Sequence, residues 1–255
     1  MVTVRRTSHG AALEEFVTGS GEPVTLFAHG LAGSITTTRP FASGVTGTKV
    51  FFHARGHGGS SRGPMTYEGL AADLREVADA HDATRALGVS MGAGTLLRVV
   101  AETPGRFERL VLVLPAVVAG PRGPEAAAYW ERVFAAEPAE LAALLAEEVP
   151  PEAREAARPY VGEQVAALTG RRGRRMFGEI AADSPLADAA SLKAVDVPVL
   201  LIGTEGDPRH PAEVTRRLAE ALPNATAHVF GEPGLLWRYR TELRERISGF
   251  LNATG

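Results

Sequence analysis

The sequence predicts an α/β fold in which a mostly parallel sheet carries helices on both faces. Short apolar runs, typical of buried strands, alternate along the chain with segments whose apolar residues recur at helical spacing. Several of these runs lead directly into turns rich in Gly and Ser, as at Gly30–Ser34 and Gly56–Ser61. Such alternation predicts βαβ units, and the carboxyl ends of parallel strands then collect reactive groups at one edge of the sheet.

The first part of the chain supplies strands that end in glycine-rich loops. The predicted strands here are Val2–Arg5, Glu14–Val17, Val24–Ala28 and Lys49–Phe52. The third runs into His29–Ser34, where backbone N–H groups become available to bind an anion. The fourth runs into His53–Ser61, which contains too much glycine for regular structure. Thr66 is a suitable cap for a following helix with Leu70, Leu74 and Val77 on one face.

The rest of the chain divides into a helical segment and a return to strands. After the apolar run Arg109–Leu114, the strand signal disappears between residues 120 and 183, where prolines divide Ala, Glu, Arg and Leu-rich sequence into short helices. Strands resume at Val197–Gly203 and Ala225–Phe230, each followed by a helix. The sequence therefore predicts a core formed by residues 1–119 and 184–255, with a helical insertion at 120–183.

One turn combines these features in a form typical of a catalytic nucleophile. Gly88-Val89-Ser90-Met91-Gly92 lies between the apolar run Ala83–Leu87 and the helical sequence Ala93–Ala101. In this strand, turn and helix context, G-x-S-x-G describes a nucleophile elbow that raises the Ser90 hydroxyl above the sheet. The helix N-terminus below it favours developing negative charge. The spacing predicts Ser90 as the centre of the site.

Composition excludes several classes of function. The 255 residues include no cysteine, which rules out disulfides, cysteine-based zinc sites and a thiol nucleophile. The net charge of −3 gives no indication of a nucleic-acid partner. The longest apolar run, Leu110–Ala119, is interrupted by Pro115 and is too short to cross a membrane. Arg5 and Arg6 precede no apolar segment of the kind found in secretory signals. We therefore expect a cytoplasmic protein that acts on a small-molecule substrate. We expect no cofactor, no metal and no membrane partner, and a homodimer is compatible with the sequence.

Taken together, the motifs resemble those of the α/β-hydrolase fold superfamily over nearly the whole chain. The matching pieces are His29-Gly30, Arg55-Gly56-His57-Gly58-Gly59-Ser60, the elbow, Asp207 and the final strand and helix. The resemblance implies a sheet of about eight strands, with residues 120–183 as a cap over the site. It also implies that Ser90 is the nucleophile, that the N–H groups of Leu31 and Met91 form the oxyanion hole, and that Asp207 orients a histidine.

The chain departs from the family at the position of that histidine. The base usually follows a glycine after the last strand, and Leu235 stands there in this sequence, after Gly234. A serine nucleophile needs a base within about 3 Å. His29 is a candidate because its strand should neighbour the elbow strand, and His210 is another because it follows Asp207 by three residues. His53, which replaces the usual aspartate of its loop, lies one strand further out.

Two classes of function are compatible with this pattern. The first is a serine hydrolase of the carboxylesterase or thioesterase type, acting on a small ester or thioester through a Ser90 acyl-enzyme and an off-position histidine. The second, suggested by Leu235, is a non-hydrolytic lyase or cyclase, or a ligand-binding pseudo-enzyme, that retains the oxyanion-hole pocket. The position of a histidine relative to Ser90 distinguishes the two.

Overall fold

The chain folds around an eight-stranded sheet in the order β1-β2-β4-β3-β5-β6-β7-β8. The computed structural model describes residues 2–253, apart from the side chain of Arg172. The strands are β1 (Val2–Arg6), β2 (Ala12–Thr18), β3 (Val24–Ala28), β4 (Thr48–Phe52), β5 (Arg85–Val89), β6 (Arg109–Val113), β7 (Val199–Thr204) and β8 (Ala225–Phe230). Strand β2 pairs antiparallel with β1 and β4, and all other pairs are parallel. The predicted fold class is confirmed.

Ten α-helices accompany the sheet in the described residues. They are α1 (Ile35–Thr38), α2 (Tyr67–Ala80), α3 (Met91–Glu102), α4 (Pro124–Ala135), α5 (Pro138–Ala146), α6 (Arg154–Leu168), α7 (Arg171–Ala182), α8 (Ala212–Ala221), α9 (Leu235–Arg238) and α10 (Arg240–Asn252). The Thr66 side chain accepts a hydrogen bond from the Gly69 N–H at 3.2 Å and so caps α2. Among the described residues, no helix combines the length and the apolar character needed to cross a membrane.

Helices cover both faces of the sheet because successive residues of a strand point to opposite sides. In β3, Leu26 belongs to one buried cluster and Phe27 to the other, and both are fully buried. Helices α2 and α3 pack in the first cluster, which includes Leu74. Helix α10 packs in the second through residues such as Ile247. Strands covered on both faces explain the continuous apolar runs in the sequence.

Helices α4 to α7 lie in residues 120–183, where the sequence predicts a helical insertion between β6 and β7. The boundaries elsewhere differ from prediction by a few residues. Strand β2 begins at Ala12, two residues earlier than predicted, because Ala12 pairs with Arg6 of β1. The predicted terminal helix is divided, since α9 is a single short turn that begins after Gly234, whose φ is +93°. Left-handed backbone of this kind favours glycine.

Candidate active site

Ser90 stands at the sharp turn between β5 and α3. Its backbone N–H donates to the Val113 carbonyl at 2.8 Å, which continues the pairing of β5 with β6 as far as this residue. Its φ of +51° and ψ of −105° then turn the chain into the helix. A non-glycine residue with positive φ is strained, and such strain is concentrated at functional sites. The elbow predicted from the sequence is present.

The two glycines of the motif are required by packing. A Cβ on Gly88 would lie 2.4 Å from the carbonyl oxygen of Gly92. A Cβ on Gly92 would lie 2.3 Å from the carbonyl oxygen of Ala28 in β3. Both contacts are far shorter than van der Waals separation and involve backbone atoms. The two glycines therefore allow α3 to pack tightly against β5, which leads into Ser90, and against the neighbouring strand β3.

The Ser90 hydroxyl forms a hydrogen bond with a histidine, which in turn contacts an aspartate. His210 Nε2 lies 2.8 Å from Ser90 Oγ, and His210 Nδ1 lies 2.7 Å from Asp207 Oδ2. An ionised carboxylate only accepts hydrogen bonds, so the Nδ1 nitrogen carries the proton and Nε2 is free to accept the serine O–H. His210 and Asp207 are 6% and 5% exposed, and this burial shields the contacts from water.

Asp207 shapes the loop that presents His210. Its second oxygen, Oδ1, accepts hydrogen bonds from the backbone N–H groups of Arg209 at 2.9 Å and His210 at 3.2 Å. Burial by itself would raise the pKa of Asp207, but the neighbouring His210, the Arg209 guanidinium and these hydrogen bonds lower it well below its usual range. The aspartate and histidine are thus held as a unit by one short loop after β7.

Leu235 fills the place where the family resemblance predicts a histidine. It is 4% exposed, belongs to the apolar cluster beneath α10 and lines the cavity that contains Ser90. His210 reaches Ser90 from the loop after β7 instead. The aspartate and the histidine therefore come from the same loop, three residues apart, and not from the ends of two different strands.

The structure does not bring His29 to Ser90, which corrects its candidacy as the base. His29 Nδ1 contacts the Gly30 carbonyl at 2.7 Å, and His29 Nε2 accepts from the Ala54 N–H at 3.0 Å, so both ring nitrogens have backbone partners. Burial and the adjacent His57 hold the pKa of His29 well below its usual value. His29 is therefore a neutral structural residue between the loops that follow β3 and β4.

His53 likewise has a structural position. Its Nδ1 lies 2.9 Å from Glu14 Oε2, and its Nε2 accepts from the Ile35 N–H at 3.1 Å. His57 Nε2 accepts from the Ala32 N–H at 3.1 Å. The rings of His53 and His57 hold the loop after β3 by accepting hydrogen bonds from its backbone N–H groups. Sequence reasoning placed His53 near the reactive edge, but its partners are the backbone of the loop and a carboxylate of β2.

Leu31 and Met91 are the residues predicted to form the oxyanion hole. Leu31 lines the same cavity as Ser90. Met91 is the first residue of α3, where a backbone N–H has no acceptor within the helix. Within the described residues, neither N–H group donates a hydrogen bond to the protein. The role of both N–H groups in binding an oxyanion stays a prediction.

The cavity around Ser90 has a volume of about 110 Å³ and is lined by aromatic, aliphatic and charged side chains. The insertion contributes Trp130, Leu145, Glu148, Val149, Tyr160 and Gln164. Trp237 of α9 packs edge-on against Tyr160, with ring centroids 6.0 Å apart. No sequence pattern indicated Glu148 or Arg209, which are separated by 61 positions and form an ion pair at this cavity. Among residues 2–253, apart from the Arg172 side chain, no group of three or more His, Asp or Glu residues is arranged to hold a metal ion.

Comparison with known proteins gives the same fold. An esterase from Exiguobacterium antarcticum is 18% identical, with a TM-score of 0.84, and the alignment covers 99% of this chain and 100% of that one. A hydrolase from Pseudomonas aeruginosa is 28% identical with a TM-score of 0.77, covering 99% and 98%. An enol-lactonase from Burkholderia xenovorans is 18% identical with a TM-score of 0.78, covering 98% and 100%. No curated protein matches the sequence.

The match to a family model agrees with the motifs and with the geometry. The model for the alpha/beta hydrolase fold matches residues 23–234, which include the elbow, Asp207 and His210. This range exceeds half of the chain and ends just before Leu235. The chain therefore belongs to the α/β-hydrolase fold family.

Proposed function

We propose that the protein is a serine hydrolase that cleaves a small ester or thioester through an acyl-enzyme on Ser90. The observation that carries this proposal is the pair of contacts from Ser90 Oγ to His210 Nε2 and from His210 Nδ1 to Asp207 Oδ2, at 2.8 and 2.7 Å. A nucleophile, a base within hydrogen-bond reach and a group that orients the base are the parts that acyl transfer requires.

In the proposed reaction, His210 Nε2 takes the Ser90 proton while Ser90 Oγ attacks the carbonyl carbon. The N–H groups of Leu31 and Met91 bind the oxyanion, which is the charge that develops in this step. His210 then protonates the departing alcohol or thiol, leaving an acyl group on Ser90. A water molecule activated by His210 hydrolyses that ester and restores the enzyme. Asp207 keeps the proton of neutral His210 on Nδ1, and it stabilises the imidazolium that forms during both acylation and deacylation.

The cavity supports a small substrate. Its volume of about 110 Å³ is below the roughly 300–1,000 Å³ typical of drug-sized ligand sites. Apolar and aromatic side chains from the insertion and from α9 close around Ser90. Esterases and an enol-lactonase among the structural relatives are compatible with acyl transfer on this fold. The argument for a non-hydrolytic relative began from a missing base, and His210 removes that premise.

The test compares the wild-type protein with Ser90→Ala and His210→Asn on p-nitrophenyl esters and thioesters with acyl chains from acetyl to decanoyl. We expect turnover of the short chains and a loss of about 10³-fold or more in each variant, since the two residues act as a unit. Ser191→Ala, which removes an exposed serine in the segment before β7, is the matched control and should retain full activity. Equal turnover by wild type and Ser90→Ala would overturn the proposal.

A further inference from the structure

A largely buried ion pair connects the helical insertion to the loop that carries Asp207 and His210. Glu148, just after α5, accepts a hydrogen bond from Arg209 Nη2. The two side chains are 19% and 16% exposed, and both residues line the cavity around Ser90. Arg209 lies between Asp207 and His210 in the sequence, so a contact of its guanidinium also restrains the loop that carries those two residues.

The guanidinium of Arg209 stands between two carboxylates. Its Nε is 3.9 Å from Asp207 Oδ1, and its Nη2 donates to Glu148. Burial lowers the pKa of an arginine, but Glu148 and Asp207 outweigh this and raise the pKa of Arg209 above its usual value. Burial raises the pKa of the Glu148 carboxyl, and the Arg209 cation opposes that rise. Each ion of the pair thus stabilises the charged form of the other.

The other titratable groups around this pair are two tyrosines and Glu147, which is exposed. The Arg209 guanidinium carbon lies 5.6 Å from the ring centroid of Tyr129 on α4, and burial raises the pKa of Tyr129 to about 12. Burial also raises the pKa of Tyr160 on α6. The fixed charges that face His210 at neutral pH are therefore those of Asp207 and Arg209 on its own loop and Glu148 on the insertion.

We propose that Glu148 and Arg209 are positioning residues that balance the charges around His210 and hold its loop against the insertion. Loss of the negative charge at Glu148 leaves the Arg209 cation facing Asp207 and His210 without compensation, which disfavours an imidazolium. Loss of the positive charge at Arg209 leaves two carboxylates facing the ring, which favours it. The two single substitutions should thus have opposite effects, and removal of both charges should largely cancel them.

The test follows the ring signals of His210 by NMR as a function of pH, with assignment from their loss in His210→Asn. We expect the titration midpoint to fall by roughly 0.5–1 unit in Glu148→Gln and to rise by a similar amount in Arg209→Gln. The double variant should lie within about 0.3 unit of wild type. Glu155→Gln and Arg158→Gln, which carry the same charge changes on an exposed pair of α6, are the matched controls and should leave the midpoint unchanged.

The kinetic consequence rests on the proposed function. The acidic limb of the kcat/KM profile should move in the same direction as the NMR midpoint in each variant. Midpoints that move in opposite directions in a protein with no Ser90-dependent hydrolysis would uphold this inference and overturn the proposed function. Midpoints that do not move, or that move in the same direction in both single variants, would overturn the inference while leaving hydrolysis intact. If Arg209→Gln does not fold, the comparison of Glu148→Gln with the double variant still measures the effect of the Arg209 charge. The carboxylate at position 148 is absent from both of these variants.

Discussion

His57 Nε2 accepts a hydrogen bond from the backbone N–H of Ala32, with 3.1 Å between the two nitrogens. Its Nδ1 contacts the Arg55 carbonyl at 3.1 Å, so Nδ1 carries the ring proton and Nε2 must remain unprotonated. Ala32 has a φ of +55° and follows Leu31, whose N–H is a predicted oxyanion donor. A neutral imidazole therefore holds a strained part of the loop beside Ser90.

This arrangement makes the protein sensitive to acid. Burial lowers the pKa of His57 from 6.5 to about 4. Between these two pH values His57 is protonated in the unfolded chain but remains neutral in the folded protein. Stability is therefore lost as the pH falls through this window. We expect His57 to reduce the free energy of unfolding by roughly 2 kcal/mol between pH 7.5 and 5.0, as measured by urea denaturation.

The variant His57→Gln separates this effect from the titration of carboxylates. A glutamine oxygen can accept the Ala32 N–H but does not titrate, so the variant should lose less stability than wild type over the same pH range. His29, whose pKa is also held low by burial, contributes in the same direction in both proteins. An equal pH dependence in wild type and His57→Gln would contradict the role assigned to His57.

Asp207→Asn should lower kcat by about 10³ to 10⁴-fold if the proposed hydrolysis is correct. An asparagine keeps the shape of the loop but no longer selects the His210 tautomer or stabilises an imidazolium. Asp188→Asn is a matched control because its Oδ1 accepts the Ala190 N–H two residues later, as Asp207 Oδ1 accepts the Arg209 N–H. We expect full activity in Asp188→Asn on the same p-nitrophenyl ester, and a similar loss in both variants would show that the effect is structural.

The sequence predicted the elbow at Ser90 and the strands around it better than it predicted which histidine is the base. The elbow at Ser90 could be identified because the glycines, the strand and the helix are adjacent in the chain, and local rules govern each of them. The mostly parallel sheet of about eight strands also followed from alternation and from the resemblance. These features depend on short-range sequence, and the structure agrees with them to within a few residues.

The base could not be chosen from the sequence because the choice depends on where two loops meet in space. His29 and His210 both follow strands that end at the reactive edge, but the rings of the loop after β3 are used to bind backbone N–H groups. The short separation of Asp207 and His210 was the only sequence signal for the observed contact. The ion pair of Glu148 and Arg209 left no signal, since its residues are far apart and of common types.

Gly92→Ala should be strongly destabilising. The added Cβ would lie 2.3 Å from the Ala28 carbonyl oxygen, and neither α3 nor β3 can move without displacing Ser90. We expect a loss of about 3 kcal/mol or more, at the upper end of the cost of overpacking, by thermal or urea unfolding. Gly178→Ala in α7 is the control, because nothing lies within 4 Å of its added Cβ and alanine favours a helix by roughly 0.5–1 kcal/mol. Stabilisation by both substitutions would contradict the close packing at the elbow.

A second buried charge contact fixes the loop that carries His53 and His57. Asp73 on α2 is fully buried, and its two oxygens accept hydrogen bonds from Arg55 Nε at 2.6 Å and Arg55 Nη2 at 2.8 Å. Removal of one member of a buried pair leaves the other charge without compensation. We therefore expect Asp73→Ala to cost about 3–5 kcal/mol in the free energy of unfolding, measured in urea at pH 7.5.

Asp79 on the same helix provides the comparison that tests this reasoning. It also binds one arginine through two nitrogens, Arg106 Nε at 3.0 Å and Nη2 at 2.6 Å, but its side chain is 66% exposed. Water solvates Asp79, and Arg106 keeps a hydrogen bond from Nη1 to the Ala83 carbonyl at 2.8 Å, so Asp79→Ala should cost at most about 1 kcal/mol. The two substitutions remove a carboxylate from arginine pairs that differ in burial, and Asp73 also loses a contact with His9 Nε2 at 2.6 Å. Equal costs would mean that burial of Asp73 does not determine its contribution, and that Arg55 finds another partner when the loop loses this contact.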